Sequence, residues 1–227
     1  MAPSTQSLLY LASESPRRQE LLQQIGIPHT VLRLPPVVGE DEPRKANEPP
    51  LAYVQRTALE KAQRAQQWLR QTSGQSLTDD NNHSDSSSTD KGDQPHASHI
   101  NLPILTADTT VALGNTILGK PVDAEHASSI LSQLSGNTHT VYTAVVLATP
   151  TGFHRGLSTS RVTFKSLTQD EIAQYIDTRD CYGKAGAYGI QGYAARFIRD
   201  LQGSYSGVMG LPLYETAELL RTANIIA

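Results

Sequence analysis

The residue best placed to do chemistry in this chain is an aspartate in the middle of an apolar, strand-forming run. Asp108 stands within Leu102-Pro103-Ile104-Leu105-Thr106-Ala107-Asp108-Thr109-Thr110-Val111-Ala112-Leu113, and a carboxylate there is costly to bury without a partner or an ion. At the exposed end of a strand it is a candidate base or metal ligand. A second candidate is the stretch from Gly183 to Gly192, which holds four glycines in ten residues together with Lys184 and Gln191. Glycines allow positive φ and let main-chain N–H groups approach an anion; a lysine adds a compact charge, and an amide can pair with a base edge. A plain glycine-rich turn between two elements would have the same composition.

A third candidate lies near the start. Leu8-Leu9-Tyr10-Leu11-Ala12 has the length of a strand and is followed at once by Ser13-Glu14-Ser15-Pro16-Arg17-Arg18. Ser15 suits an N-cap and Pro16 the first helical position; Leu21, Leu22 and Ile25 form a buried stripe, and Gly26 ends the helix. Strand, polar turn and helix N-terminus together aim free N–H groups, two hydroxyls and two guanidinium groups at one point, which suits phosphate. An ordinary capped helix with solvated arginines is the alternative, although two arginines in a first turn oppose the helix dipole unless an anion compensates them.

The elements that would position these residues can be read from the pattern. Apolar-polar alternation from Pro28 to Leu34 predicts a second strand. Glu40-Asp41-Glu42 then places three carboxylates in a loop, as solvated acids or as oxygen ligands for magnesium. A helix is predicted from Leu51 to Leu69, with Leu51, Val54, Ala58, Ala62, Ala65 and Leu69 on one face and Lys61 beside it. Residues 71–101 are rich in Ser, Asp, Asn, Thr, His and Gly and nearly devoid of apolar side chains. They read as a disordered loop inserted in one domain that spans 1–227. Ile117-Leu118-Gly119-Lys120-Pro121 resembles a hairpin exit with another cation, which a surface lysine also explains. Helices are predicted over 124–134, over 168–177 behind a Thr-Gln-Asp-Glu capping box, and over 212–222; strands are predicted over 138–148, 158–166 and at 197–198.

Composition sets limits on function. With 38% hydrophobic residues in a chain of 227, a real core is affordable, and a net charge of −3 argues against a general nucleic-acid binder. The single cysteine, Cys181, excludes an internal disulfide and a cysteine-based zinc site. There is no apolar run of bilayer-spanning length, and residues 1–9 lack the regions of a signal peptide, so a soluble cytoplasmic protein with no membrane partner is expected.

Taken together, the motifs resemble those of the Maf family of nucleoside triphosphate pyrophosphatases. They are Leu11-Ala12-Ser13-Glu14-Ser15-Pro16-Arg17-Arg18, Ala107-Asp108-Thr109, Leu118-Gly119-Lys120-Pro121, Leu134-Ser135-Gly136, the run from Lys184 to Gly192, and Gly210-Leu211-Pro212. The fold this implies is α/β and similar to the inosine triphosphate pyrophosphatases: a long, bent mixed sheet flanked by helices, two lobes with a central cleft, and commonly a homodimer. The chemistry it implies is hydrolysis of a nucleoside triphosphate to the monophosphate and pyrophosphate with a divalent cation, Mg2+ or Mn2+. By the same match Ser13, Arg17, Arg18, Lys61, Lys120 and Lys184 are phosphate ligands, Glu42 and Asp108 are metal ligands, and Asp108 is also the proton acceptor. Arg17, Thr109 and Gln191 stand where the subgroup acting on dTTP and UTP has its specificity residues. The sister activity on 7-methylguanosine triphosphate and a non-catalytic regulator of cell division are the alternatives. One departure is visible: where family members often carry Glu-Pro-x-Asp before Lys-Ala-Gly, this chain has Asp180-Cys181-Tyr182-Gly183.

Overall fold

The computed structural model describes residues 6–36, 43–75 and 102–227. The chain enters through β1 (Leu9–Leu11), α1 (Pro16–Gln24) and β2 (His29–Val31), a right-sized unit for a parallel pair, and β1 does pair in parallel with β2. The long helix α2 (Pro50–Gln75) leads to β3 (Ile104–Leu113), a short β4 (Thr116–Leu118) and α3 (Ala124–Leu134). Two long strands, β5 (Thr138–Thr149) and β6 (Gly152–Phe164), form a hairpin, and α4 (Gln169–Asp177), β7 (Ile198–Gln202), α5 (Tyr205–Met209) and α6 (Leu213–Thr222) complete the chain. The sheet order is β2-β1-β3-β5-β6-β7 with β4 added to β3. This is the mixed α/β sheet flanked by helices that the resemblance implied.

Most local signals hold. Thr168 accepts from Glu171 N while the Glu171 carboxylate accepts from Thr168 N, closing the predicted capping box of α4. Gly26, at φ 68°, follows the end of α1 as a residue without Cβ can. Other boundaries shift. The strand expected over 28–34 is only three residues long, because β1, its one partner among the described strands, ends at Leu11. Ser15 occupies the N-cap of α1 but its side chain makes no capping bond there. α2 runs to Gln75, so 71–75 are helical rather than part of a disordered loop; 76–101 lie outside the described residues, as does Glu42.

The core fills both faces of the sheet. Under α2, Val54, Ala58, Ala62 and Ala65 are fully buried against Ile104, Ala144 and Val146, and the small side chains let the helix axis come close to β3 and β5. Leu51, expected on that face, is exposed at the first turn. On the opposite face α1 and α6 cover Leu9, Leu105 and Leu147. α3 and α4 enclose an aromatic group in which His139, Phe164 and Tyr188 meet edge to face.

Candidate active site

A gap in the hydrogen-bonding edge of β3 creates the site. One edge of β3 pairs with β1 at Ile104 and Leu105 and with β4 from Val111 to Leu113; between these stretches no described strand pairs with it. Its other edge is fully paired with β5, which holds Asp108 opposite Ala144. The gap lies just beyond the carboxyl end of β1, where the chain turns into α1, and this is the position at which open α/β sheets bind ligands.

Alternation along β3 sends Asp108 and Thr109 to opposite faces. Asp108 faces α2. Its Oδ1 lies 2.7 Å from Lys61 Nζ, and its Oδ2 accepts from Thr57 Oγ1 at 2.8 Å. Lys61 stands four residues after Thr57, so one face of α2 presents both donors. Burial pushes the Asp108 pKa up, but the Lys61 charge and hydrogen bond, the Thr57 hydroxyl and the charge of Arg18 outweigh it and hold the group below the usual carboxylate value. Asp108 is therefore ionised at neutral pH, and each oxygen keeps a lone pair for a further donor.

Thr109 faces α1 and α5. Arg18 Nη2 reaches its hydroxyl at 3.4 Å, while Nη1 donates to Ser13 Oγ at 3.1 Å and Nε to Gly210 O at 2.8 Å. Arg17 Nε donates to Met209 O at 3.4 Å. The Thr143 hydroxyl lies 3.1 Å from Thr109 Oγ1 and donates to Gly207 O at 2.7 Å, which completes a chain of polar contacts across the cleft floor. The two arginines thus serve partly as braces between the α1 turn and 209–210, a task the phosphate reading did not foresee.

The cleft has two ends that share Arg17, Arg18, Lys61 and Lys120. One end carries Arg64 and the 13–18 turn, whose arginines make it cationic, beside the apolar Leu32, Leu34, Pro35 and Pro36. The other is lined by Val111, Val141, Tyr188, Gly189, Gln191, Val208 and Met209. Lys120 makes no ion pair among the described residues. The Gln191 side chain is likewise without a hydrogen bond among them, so its amide does not tie the glycine-rich loop to itself. Lys184 lines the second end rather than the cationic one, and its ammonium is 2.9 Å from Asp180 Oδ1.

The glycine-rich stretch is built by close approach. Gly186 has φ 71°, and a Cβ there would fall 2.8 Å from Val111 Cγ1. Its N–H donates to Gly119 O at 3.0 Å, joining this stretch to the Gly119-Lys120 turn. Buried Tyr188 is held from behind by His139 Nε2, 2.8 Å from its hydroxyl. Burial lowers the His139 pKa to about 4, so the imidazole is neutral.

No group of three or more His, Cys, Asp or Glu that could hold a metal occurs among the described residues. Asp108 in the wall and Glu14 at the exposed rim do border the cleft. The two line different ends of it, and Asp108 alone, ionised and with a lone pair open on each oxygen, suits an ion of the magnesium type, which takes one or two carboxylates and completes its shell with phosphate and water. Sequence reasoning missed Thr57, Arg64, Thr143 and Asp180. For Thr57 and Arg64 the helical spacing to Lys61 was the available signal; for the other two there was none.

Comparison with known proteins agrees with the geometry. A family model described as Maf-like protein matches residues 8–223. A protein of Bordetella avium (strain 197N), named dTTP/UTP pyrophosphatase, is 49% identical over 217 residues, covering 96% of each chain. Proteins with the same name from Bordetella parapertussis and Cupriavidus pinatubonensis are 48% identical (96% of this chain, 93% of theirs) and 46% identical (96% and 97%). With a match that takes in every strand and helix described above, the chain belongs to the Maf family.

Proposed function

We propose that this protein hydrolyses dTTP and UTP between the α- and β-phosphates, giving the nucleoside monophosphate and pyrophosphate. One observation carries the reading: a single cleft presents a buried ionised carboxylate at the gap in β3, with Arg17, Arg18, Lys61 and Lys120 along its length and an unengaged Gln191 amide at one end. The relatives' printed names supply the substrates. Hydrolysis of the α–β phosphoanhydride needs charge neutralisation on the phosphates and a group to orient or deprotonate the water. The cations, with Ser13, take the first role, and Asp108 accepts the proton through a lone pair that Lys61 and Thr57 leave open. A divalent cation, held by Asp108 with Glu42 and the substrate's own oxygens, would add Lewis-acid neutralisation of the phosphates. Uracil and thymine share an O4 acceptor beside an N3–H donor, and one amide satisfies both; cytosine reverses them. Arg17 and Thr109 complete the specificity set, and the enzyme works as a cytoplasmic homodimer. No helix among the described residues is long and apolar enough to cross a membrane.

The test is a panel of dTTP, UTP, CTP and 7-methylguanosine triphosphate with magnesium or manganese, scored for pyrophosphate. Rapid release from the first two alone is expected. Binding without product would mark a non-catalytic binder, and preference for the methylated purine would overturn the assignment of Gln191.

A further inference from the structure

Asp180 was not among the candidate residues, yet the glycine-rich loop is wound around it. It follows α4, and its N–H donates to Thr178 Oγ1 at 3.2 Å. Its carbonyl and its Oδ1 both accept from Lys184 Nζ, the latter at 2.9 Å. Its Oδ2 accepts from the Tyr175 hydroxyl at 3.3 Å, and a Cβ on Gly192 would lie 2.5 Å from that same oxygen. One side chain therefore touches α4 and both ends of the glycine-rich stretch, and glycine at 192 is what makes room for it.

The consequence falls on Lys184. Drawn to Asp180, its side chain lies across Gly189, where a Cβ would meet Lys184 Cε at 3.0 Å and Gln191 Oε1 at 3.5 Å. The lysine side chain is 13% exposed and the aspartate 32%. The ammonium is thus committed inside the loop, and its methylenes form the seat on which Gly189 rests, two residues before Gln191.

We propose that Asp180 is a positioning residue for nucleobase reading: through Lys184 it fixes the backbone from Gly189 to Gly192 and so sets where the Gln191 amide meets the base. The inference rests on the uracil and thymine reading given above. It moves Lys184 from a phosphate ligand to a part of the base-reading wall. Lys184 lines the same end of the cleft as Asp108 but is bonded to Asp180, whereas Asp108 is bonded to Lys61 and Thr57, so the Asp180–Lys184 pair governs binding and discrimination rather than the chemical step.

The experiment compares Asp180→Asn, Asp180→Glu and Lys184→Met with the parent protein, measuring kcat and KM for dTTP and CTP and the melting temperature. Loss of a partly exposed charged hydrogen-bond partner gives an expected rise of about tenfold in KM for dTTP with kcat changed by less than about twofold. The dTTP-to-CTP preference in kcat/KM falls, and Asp180→Glu restores most of it. Adding Asp180→Asn to Lys184→Met changes nothing further, since the aspartate acts through the lysine. Should Asp180→Asn not fold, Lys184→Met breaks the same pair from its other end and must show the same KM and preference effects. An unchanged KM and preference in a folded variant overturns the proposal, as does an equal loss on both triphosphates carried by kcat. Failure of the parent to cleave dTTP would instead overturn the function on which it rests.

Discussion

Removing Lys61 leaves a charge in the wall of the cleft, and the cost can be worked from the geometry. Lys61 Nζ is 2.7 Å from Asp108 Oδ1, with side-chain exposures of 21% and 8%. Breaking a fully buried pair from one side costs about 3–5 kcal/mol, because the remaining charge is uncompensated. Here the cleft admits water from the lysine side and Thr57 still holds Oδ2, so Lys61→Met should cost about 2 kcal/mol, or a fall of about 4–8 °C in Tm for a chain of this size. Asp108→Asn should cost about 1 kcal/mol or less, since the flexible lysine left behind can turn its head to solvent. The double variant should be no less stable than Asp108→Asn alone, giving a coupling of about 2 kcal/mol in a double-mutant cycle read by urea denaturation at neutral pH. Activity should behave differently: Asp108→Asn loses about 10²–10⁴-fold in turnover, and the double variant recovers stability without recovering turnover. Additive stability losses would refute the ion pair as described, and a loss of less than about tenfold in a folded Asp108→Asn protein would remove the carboxylate from its catalytic role.

Gln191→Glu should lower turnover of dTTP and UTP by about ten- to hundredfold while narrowing the dTTP-to-CTP ratio, since a mispairing on the exposed Gln191 that the bound base covers leaves polar groups unmatched; an unchanged ratio would refute base reading. The folded pKa of His139, about 4, lies below its ordinary 6.5, so the unfolded chain takes the proton first. Its contribution is complete above pH 6.5 and is lost as pH falls towards 4, which predicts a loss of about 2 kcal/mol between pH 7 and pH 5 that His139→Phe abolishes in urea titrations at the two pH values. An equal slope in both proteins would show that the histidine protonates without penalty. Gly186→Ala should destabilise by about 2–4 kcal/mol, adding left-handed backbone strain to the clash with Val111, and a second change of Val111→Ala should return part of it in thermal melts.

Much of the fold was legible because it rests on local signals. The capping box at Thr168, the stop at Gly26 and the apolar strand through Asp108 each depend on residues near in sequence, and each appears where the pattern placed it. The site was legible through the same signals: a carboxylate in an apolar strand and a glycine-rich run are anomalies that propensity does not explain. What was not legible depends on contacts far apart in the chain. Nothing in the sequence around Arg17 and Arg18 says that their guanidinium groups meet the carbonyls of Met209 and Gly210, 192 residues away. Nor does Thr143 announce its approach to Thr109, which depends on strand register. The ion pair of Lys184 with Asp180, four residues earlier, was passed over because a cation beside glycines was read for phosphate alone.

The length of α2 bears on how this enzyme could be built upon. Thr57 and Lys61 hold the Asp108 carboxylate from the first half of the helix, which then continues for fourteen more residues, from 61 to 75, about 21 Å at the helical rise. On the returning side β3 begins at Ile104, four residues before Asp108, about 13 Å along an extended strand. The described chain thus leaves the site along a helix and returns to it on a strand already in register with β5. Gln75, at the end of a long helix, is therefore an attachment point for a fluorescent label whose distance from Lys61 the helix itself sets.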